Sequence, residues 1–221
     1  MKIVSLSFDD GTIYDLQFIE LLNKYKLKAS LNLNSGLEDF VWYYGDHPIK
    51  RLRLNEVKEY YNGHEVASHS LTHPYFSSLS KEEVIRQVKE DIRNLNKIFG
   101  CKIEGFAFPF HDQTEDNIQT VKDNINLKYI RYSYLSNEYM PKDRYHLPIN
   151  ALYDDEDIYE KLEDFKKNNL NNSLFVIAGH SYEFEMKNDW EKIESLLKFL
   201  SNDKEIVVLP LLDAVKVLFG E

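Results

Sequence analysis

Along this chain the apolar residues change period again and again, from every second residue to every third or fourth and back. KIVSLSF alternates as a strand, the stretch from Tyr14 to Tyr25 has helical spacing, and KASLNLN alternates once more, which is a βαβ opening. Asn55 is placed to cap a short helix ended by Gly63, and EVASHS reads as extended. Ser80 and Glu83 have the spacing of a capping box for a long helix whose face is Val84, Val88, Ile92, Leu95 and Phe99, with Gly100 as its stop. IEGFAF, KYIRY, a short strand around His146, SLFVIAG and EIVVL follow as strands. Between and after them, helices are expected near Thr114 to Ile125, Asp155 to Lys167, Asn188 to Leu200, and on to Phe219. Seven or eight strand-helix alternations without a linker or repeat predict one α/β domain over residues 1–221, built on a parallel sheet with right-handed crossovers. That sheet is either doubly wound or closed into a barrel, and an incomplete barrel is the favoured form.

Composition narrows the function. A net charge of −10 disfavours nucleic acid and anionic membrane surfaces, which would be repelled at long range. The single cysteine, Cys101, excludes an internal disulfide and a thiolate-rich zinc site. No apolar run reaches membrane-spanning length, and the chain opens directly on a strand with no secretory leader pattern, so residence in the cytoplasm is expected.

In parallel barrels the chemistry gathers at the C-terminal ends of the strands. The polar residues there are Asp9 and Asp10 after the first strand and His69 after the third. Pro109, Phe110, His111 and Asp112 follow the fourth, Arg131 ends the fifth and His180 follows the seventh. Adjacent side chains leaving a strand diverge, so one carboxylate of the SFDDG segment can hold a cation while the other handles a proton. A strand-ending turn would use the same triplet. His69 and His73 of HSLTH are four apart, with Pro74 disfavouring a helix beyond them. With one aspartate they make a two-histidine, one-carboxylate set that leaves coordination positions open, suited to a divalent ion: zinc foremost, with cobalt, nickel, manganese or iron compatible.

Together SFDDG, HSLTH, FAFPF and the strand-terminal histidine of IAGHS resemble the successive motifs of the polysaccharide deacetylases, the NodB-like group of carbohydrate esterase family four, in the same order and over most of the chain. The resemblance implies a distorted (β/α)7 barrel. It also implies Asp9 as catalytic base, His180 as general acid, and Asp10, His69 and His73 as metal ligands. Phe110, following Pro109, would offer its backbone N–H to the oxyanion and help bind substrate. The implied reaction is metal-dependent removal of an N-linked acetyl group from a sugar or glycan precursor.

Two positions depart from that pattern. Ala107 stands where the third motif carries an arginine, and Arg131 on the next strand is the candidate replacement. The fourth motif has no clear match: Asp154 and Asp155 read as helix caps, while Glu183, three residues after His180, is a candidate to orient a partner or touch substrate. DFVWYYGDHP forms an insertion after the second strand, and its Trp42 and Tyr43 are candidates for a sugar-stacking platform. His111 and Asp112 are expected at the rim. Hydrolysis of a non-sugar amide, cyclic or ureido, and a non-catalytic sugar-binding role that keeps the metal site are the alternatives.

Overall fold

The first strand explains the layout. In the computed structural model, which describes residues 1–220, β1 (Lys2–Asp9) is buried along nearly its whole length. Its alternation therefore marks no solvent face. Val4, Leu6 and Phe8 face an outer apolar layer, while Ser5, Ser7 and Asp9 lie on the other face. Those polar side chains are satisfied: Ser5 donates to the carbonyl of Leu209 at 2.8 Å, and Ser7 accepts from Asn32 at 2.9 Å.

The remaining elements follow in chain order. They are α1 (Asp15–Lys24), β2 (Ser30–Leu33), β3 (Val41–Tyr44), β4 (His47–Lys50), α2 (Leu54–Val57), β5 (Glu65–Ser68), α3 (Lys81–Phe99), β6 (Gly105–Ala107) and α4 (Glu115–Asn124). The second half contains β7 (Tyr129–Leu135), β8 (Leu147–Ile149), β9 (Ala151–Leu152), α5 (Ile158–Lys167), β10 (Ser173–His180), α6 (Ser181–Met186), α7 (Trp190–Asn202), β11 (Ile206–Val208) and α8 (Leu211–Phe219).

The main sheet runs β8-β7-β6-β5-β2-β1-β10-β9, all neighbours parallel, with β11 added beside the first half of β1. The end strands β8 and β9 are separated in sequence by Asn150 alone. Its backbone N–H donates to Val176 O and its Oδ1 accepts from Val176 N, both at 2.8 Å, while Nδ2 donates to Ser136 O at 2.8 Å. One amide thus spans the seam of a nearly closed, distorted (β/α)7 barrel, the form that the family resemblance implies and a kind of barrel the alternation favours. Inside it, Ile3, Tyr129, Leu147, Ile149, Leu174 and Val176 pack with Leu211, Ala214 and Val215 of α8. The start of α8 is fastened near the first residues of β2 and β5 by Leu211 N to Ser30 Oγ and Leu212 N to Glu65 Oε2. That helix therefore stops the N-terminal end and leaves the C-terminal ends for the site.

Local signals were obeyed with three differences. Ser80 caps α3 by accepting from Glu83 N, and Gly100 ends it at φ 66°. The Glu83 carboxylate, however, turns to Arg86 instead of closing the box. The complete box is at α4, where Thr114 and Asn117 exchange hydrogen bonds. Asn55 lies within α2, whose N-cap is Arg53, and the helix passes into a 3-10 turn over Lys58–Tyr61. The insertion is an antiparallel hairpin, β3 pairing β4 around Gly45 and Asp46.

Candidate functional site

The SFDDG segment ends β1 and immediately turns. Asp10 has φ 92° and Gly11 φ 69°, so two successive residues occupy the half of φ space that costs a non-glycine residue about 1–3 kcal/mol. Ser70, His73 and Phe110 also have positive φ, at 70°, 53° and 56°. Strain gathers where side chains must converge, and hydrogen bonds hold it: Asp10 N donates to Asn32 O at 2.9 Å, and His73 N to Ser70 Oγ at 3.1 Å.

Asp9 and Asp10 diverge as their positions demand. Asp9 Oδ1 accepts from Asn32 Nδ2 at 2.7 Å, and Nη2 of Arg131 reaches both carboxylate oxygens at 2.6 and 2.7 Å. Burial pushes the Asp9 carboxyl up, but the Arg131 guanidinium and its other charged neighbours outweigh this and hold it below the usual range. Arg131 therefore grips the Asp9 carboxylate from the strand beside Ala107, its register partner. Asp10 instead turns to the imidazoles, its Oδ1 lying 3.4 Å from His73 Nε2 and 3.9 Å from His69 Nε2. One ligand atom each from Asp10, His69 and His73 lie within 4.8 Å of one another, and this is the one such cluster among the described residues.

The donor chemistry fits a divalent cation. His69 Nδ1 donates to the carbonyl of Ala107 at 2.8 Å, which fixes the proton there and leaves Nε2 as a free lone pair aimed into the cluster. Desolvation lowers His69 to about 4 and pulls His73 down, so both are neutral and ready to ligate. Burial works against the Asp10 carboxylate, but the Arg51 guanidinium first, and then His180, hold its pKa below the usual range.

His180 ends β10 in register with Asp9, and its Nε2 lies 4.0 Å from Asp10 Oδ2. Behind it, Glu183 Oε2 accepts from the His180 backbone N–H at 3.3 Å and stands 3.4 Å from Nδ1. Burial disfavours the imidazolium, but Glu183, Asp10 and Asp9 prevail and raise His180 to about 9. Lys187 bridges Glu183, at 3.2 Å, to Asp154, at 2.8 Å. Asp154 is therefore an outer partner in an ion chain and not a helix cap. Asp155 pairs with Lys161, and the N-cap of α5 is Asp157, so neither capping expectation is met. Gly179 is required before His180, since a Cβ there would approach Tyr153 to 2.7 Å.

A cleft of about 570 Å³ opens over these groups. Phe110, His111 and Thr72 line one side, with Phe110 stacked on Tyr75 at 4.0 Å and edge-on to His73. Leu37, Phe40, Trp42 and Tyr182 form another side, Trp42 meeting Tyr182 edge-on at 5.5 Å. Tyr43, next along β3, is 69% exposed and is absent from the lining, because strand neighbours face opposite ways. Pro109 is buried beneath Phe110, and Asp112 is held by Ser77 rather than by the cleft.

Three contributors were not anticipated. Arg51, Asn32 and Asn34 are buried beside the aspartates, Arg51 Nη2 donating to Asp10 Oδ1 at 2.9 Å. For Asn32 a signal was present: an amide between Leu31 and Leu33 on a buried strand needs a partner inside.

The polysaccharide deacetylase family model matches residues 1–130. The chain belongs to the polysaccharide deacetylase family. Within that family it is 32% identical over 103 residues to the peptidoglycan-N-acetylmuramic acid deacetylase PdaC of Bacillus subtilis, a match covering 46% of this chain and 20% of that protein. The chain thus aligns with only about a fifth of this relative's length. Among solved structures, a family 4 acetyl xylan esterase of Clostridium thermocellum in complex with a cobalt ion superposes with TM-score 0.59 at 18% identity, over 99% of this chain and 92% of that one. BA3943 of Bacillus anthracis, a pseudoenzyme of the same esterase family, superposes with TM-score 0.59 at 15% identity, over 97% of this chain and 65% of that one. At such identities the superpositions establish the fold. No helix among the described residues of this deacetylase-family chain is long and apolar enough to cross a membrane.

Proposed function

We propose that this chain is a metal-dependent hydrolase that removes an N-linked acetyl group from an acetylated sugar or glycan precursor. The observation that carries the reading is geometric: Asp9 and His180, register partners at the ends of β1 and β10, flank the Asp10, His69 and His73 set, with Arg131 on the carboxylate and Glu183 behind the imidazole. A bound divalent ion, zinc foremost and cobalt, nickel, manganese or iron compatible, would polarise the acyl carbonyl and acidify water to a pKa of about 7. Asp10, His69 and His73 would hold it.

Asp9 then serves as base. Its low basicity, set mainly by Arg131, would suffice for a proton that a bound ion had made acidic. His180 donates a proton to the departing amine, with Glu183 keeping it charged until then. The backbone N–H of Phe110, in the turn fixed by Pro109, is assigned to the developing oxyanion. Trp42 and Phe110 supply flat faces for a sugar ring, while Tyr43 stands off the cleft. Cytoplasmic residence belongs to the same proposal, consistent with a single, unpaired Cys101.

The test is acetate release from N-acetylhexosamine oligomers and precursors, run on metal-stripped and metal-loaded protein beside a panel of cyclic and ureido amides. Metal-dependent release from a sugar supports the proposal. Turnover confined to the amides moves the substrate to the second class, for which the apolar Leu37, Ile149 and Leu152 in the lining leave room. Sugar binding without release from any substrate favours a non-catalytic role.

A further inference from the structure

The hairpin β3–β4 has so far supplied only Trp42 to the cleft wall, yet the residue leaving it lies closer to Asp10 than either metal-ligand histidine does. Arg51 Nη2 is 2.9 Å from Asp10 Oδ1, against 3.4 Å for His73 and 3.9 Å for His69. The segment is stitched onto the loop after β1: Ile13 N donates to Lys50 O at 3.0 Å, and Leu52 N to Gly11 O at 2.9 Å. Only 6% of the Arg51 side chain is exposed, and the Trp42 ring covers its guanidinium at 4.9 Å.

The guanidinium holds more than a carboxylate. Its Nη1 donates to the backbone carbonyl of Asp10 and to Asn34 Oδ1. Asn34 Nδ2 in turn donates to the carbonyls of His69, at 2.5 Å, and Ser70, at 2.7 Å. One buried cation therefore reaches the aspartate directly and the two-histidine loop through a single amide.

We propose that Arg51 is a positioning residue for the metal centre that also draws charge out of Asp10, so that the ion is held less tightly and acts as a stronger Lewis acid. This rests on the metal-dependent reading above. Oδ1 is the Asp10 oxygen near both imidazoles, and it is the same oxygen that accepts from Arg51. A ligand oxygen already taking a charge-assisted hydrogen bond has less electron density to give a metal, and a buried cation nearby repels a divalent ion directly. A mere prop would act with the opposite sign, since its loss loosens the site. The charge effect should dominate because Asp10 N still donates to Asn32 O, and Asn34 still grips both carbonyls, without Arg51.

The experiment compares wild type, Arg51→Met and Arg51→Lys by titrating metal-stripped protein with Co2+, read from visible absorption, and with Zn2+ by calorimetry. Arg51→Met is expected to bind about fivefold more tightly than wild type, while its kcat at saturating metal falls about tenfold or more with little change in KM. Arg51→Lys, which keeps the charge, is expected to stay within about threefold of wild-type affinity. Unchanged or weaker binding by Arg51→Met overturns the proposal, as does full kcat at saturating metal. Should Arg51→Met fail to fold, Arg51→Gln, uncharged but able to donate to Asp10, carries the same comparison. Wild type that binds neither ion would instead overturn the functional reading beneath it.

Discussion

Arg131 grips both oxygens of Asp9 through one nitrogen, at 2.6 and 2.7 Å, with the pair almost wholly buried. It reaches them from β7, the strand beside the one that bears Ala107, because Ala107 and Arg131 are register partners. Removing one member of a buried pair strands the other's charge, at a cost of about 3–5 kcal/mol. Arg131→Met is therefore expected to lose most of that stability at pH 7 and to recover part of it toward pH 4, as Asp9 takes a proton. Urea denaturation at the two pH values checks this; equal losses at both would contradict it.

Glu183 stands 3.4 Å from His180 Nδ1, where its carboxylate favours the imidazolium. In metal-free protein the imidazole should titrate near 9, and Glu183→Gln should bring it down toward the ordinary 6.5. A raised histidine stabilises the fold fully below its unfolded pKa and loses that contribution as pH rises through the folded one, so the variant's deficit should be largest below about pH 6.5 and vanish above about 9. NMR titration of the His180 ring reads the shift directly. In turnover, the basic limb should move to lower pH, since less of the acid remains protonated.

Beneath His69 lies a carboxyl without a counter-ion. Asp91, fully buried on α3, accepts from Ser68 Oγ at 2.6 Å and from Ser35 N at 2.7 Å, and burial pushes it up to about 7. An aspartic acid with a raised pKa stabilises the fold below its unfolded value of 3.8 and ceases to as pH climbs through about 7. Asp91→Asn is thus expected to gain on wild type between pH 5 and pH 8, by on the order of a few kcal/mol. Paired thermal or urea unfolding across that window decides; a constant difference would refute the assignment.

On β3 the two platform candidates part company. Trp42→Ala should raise KM for a sugar substrate about tenfold, the loss of one stacking face, whereas Tyr43→Ala should leave it unchanged. Equal effects of the two substitutions would move the sugar out of the cleft.

What the sequence made legible was chemistry carried on short segments at strand ends. Asp9, Asp10, His69 and His180 each sit where a strand stops, so a pattern of strands was enough to bring them to one face, and the four-residue spacing from His69 added His73. Arg51, Asn32 and Asn34 act on those residues from 23 to 41 positions away, so that even where an amide such as Asn32 calls for a partner, no spacing names it. The β3–β4 hairpin was within reach, because Gly45-Asp46 between aromatic residues is a two-residue hairpin signal. Pro48 in the second strand obscured it, being tolerated only because a two-stranded ribbon is all edge. Asp154 reads as a cap in the sequence because its partner, Lys187, lies two helices and a strand further on.

The central claim is that neighbouring aspartates do separate jobs, and metal titration of single variants tests it most directly. Asp10→Asn, His69→Ala and His73→Ala are expected to weaken one-to-one binding of Zn2+ or Co2+ by about 100-fold or more, while Asp9→Asn and His180→Ala bind normally and lose turnover. Tight binding that survives loss of Asp10, or full turnover without Asp9, would contradict the account.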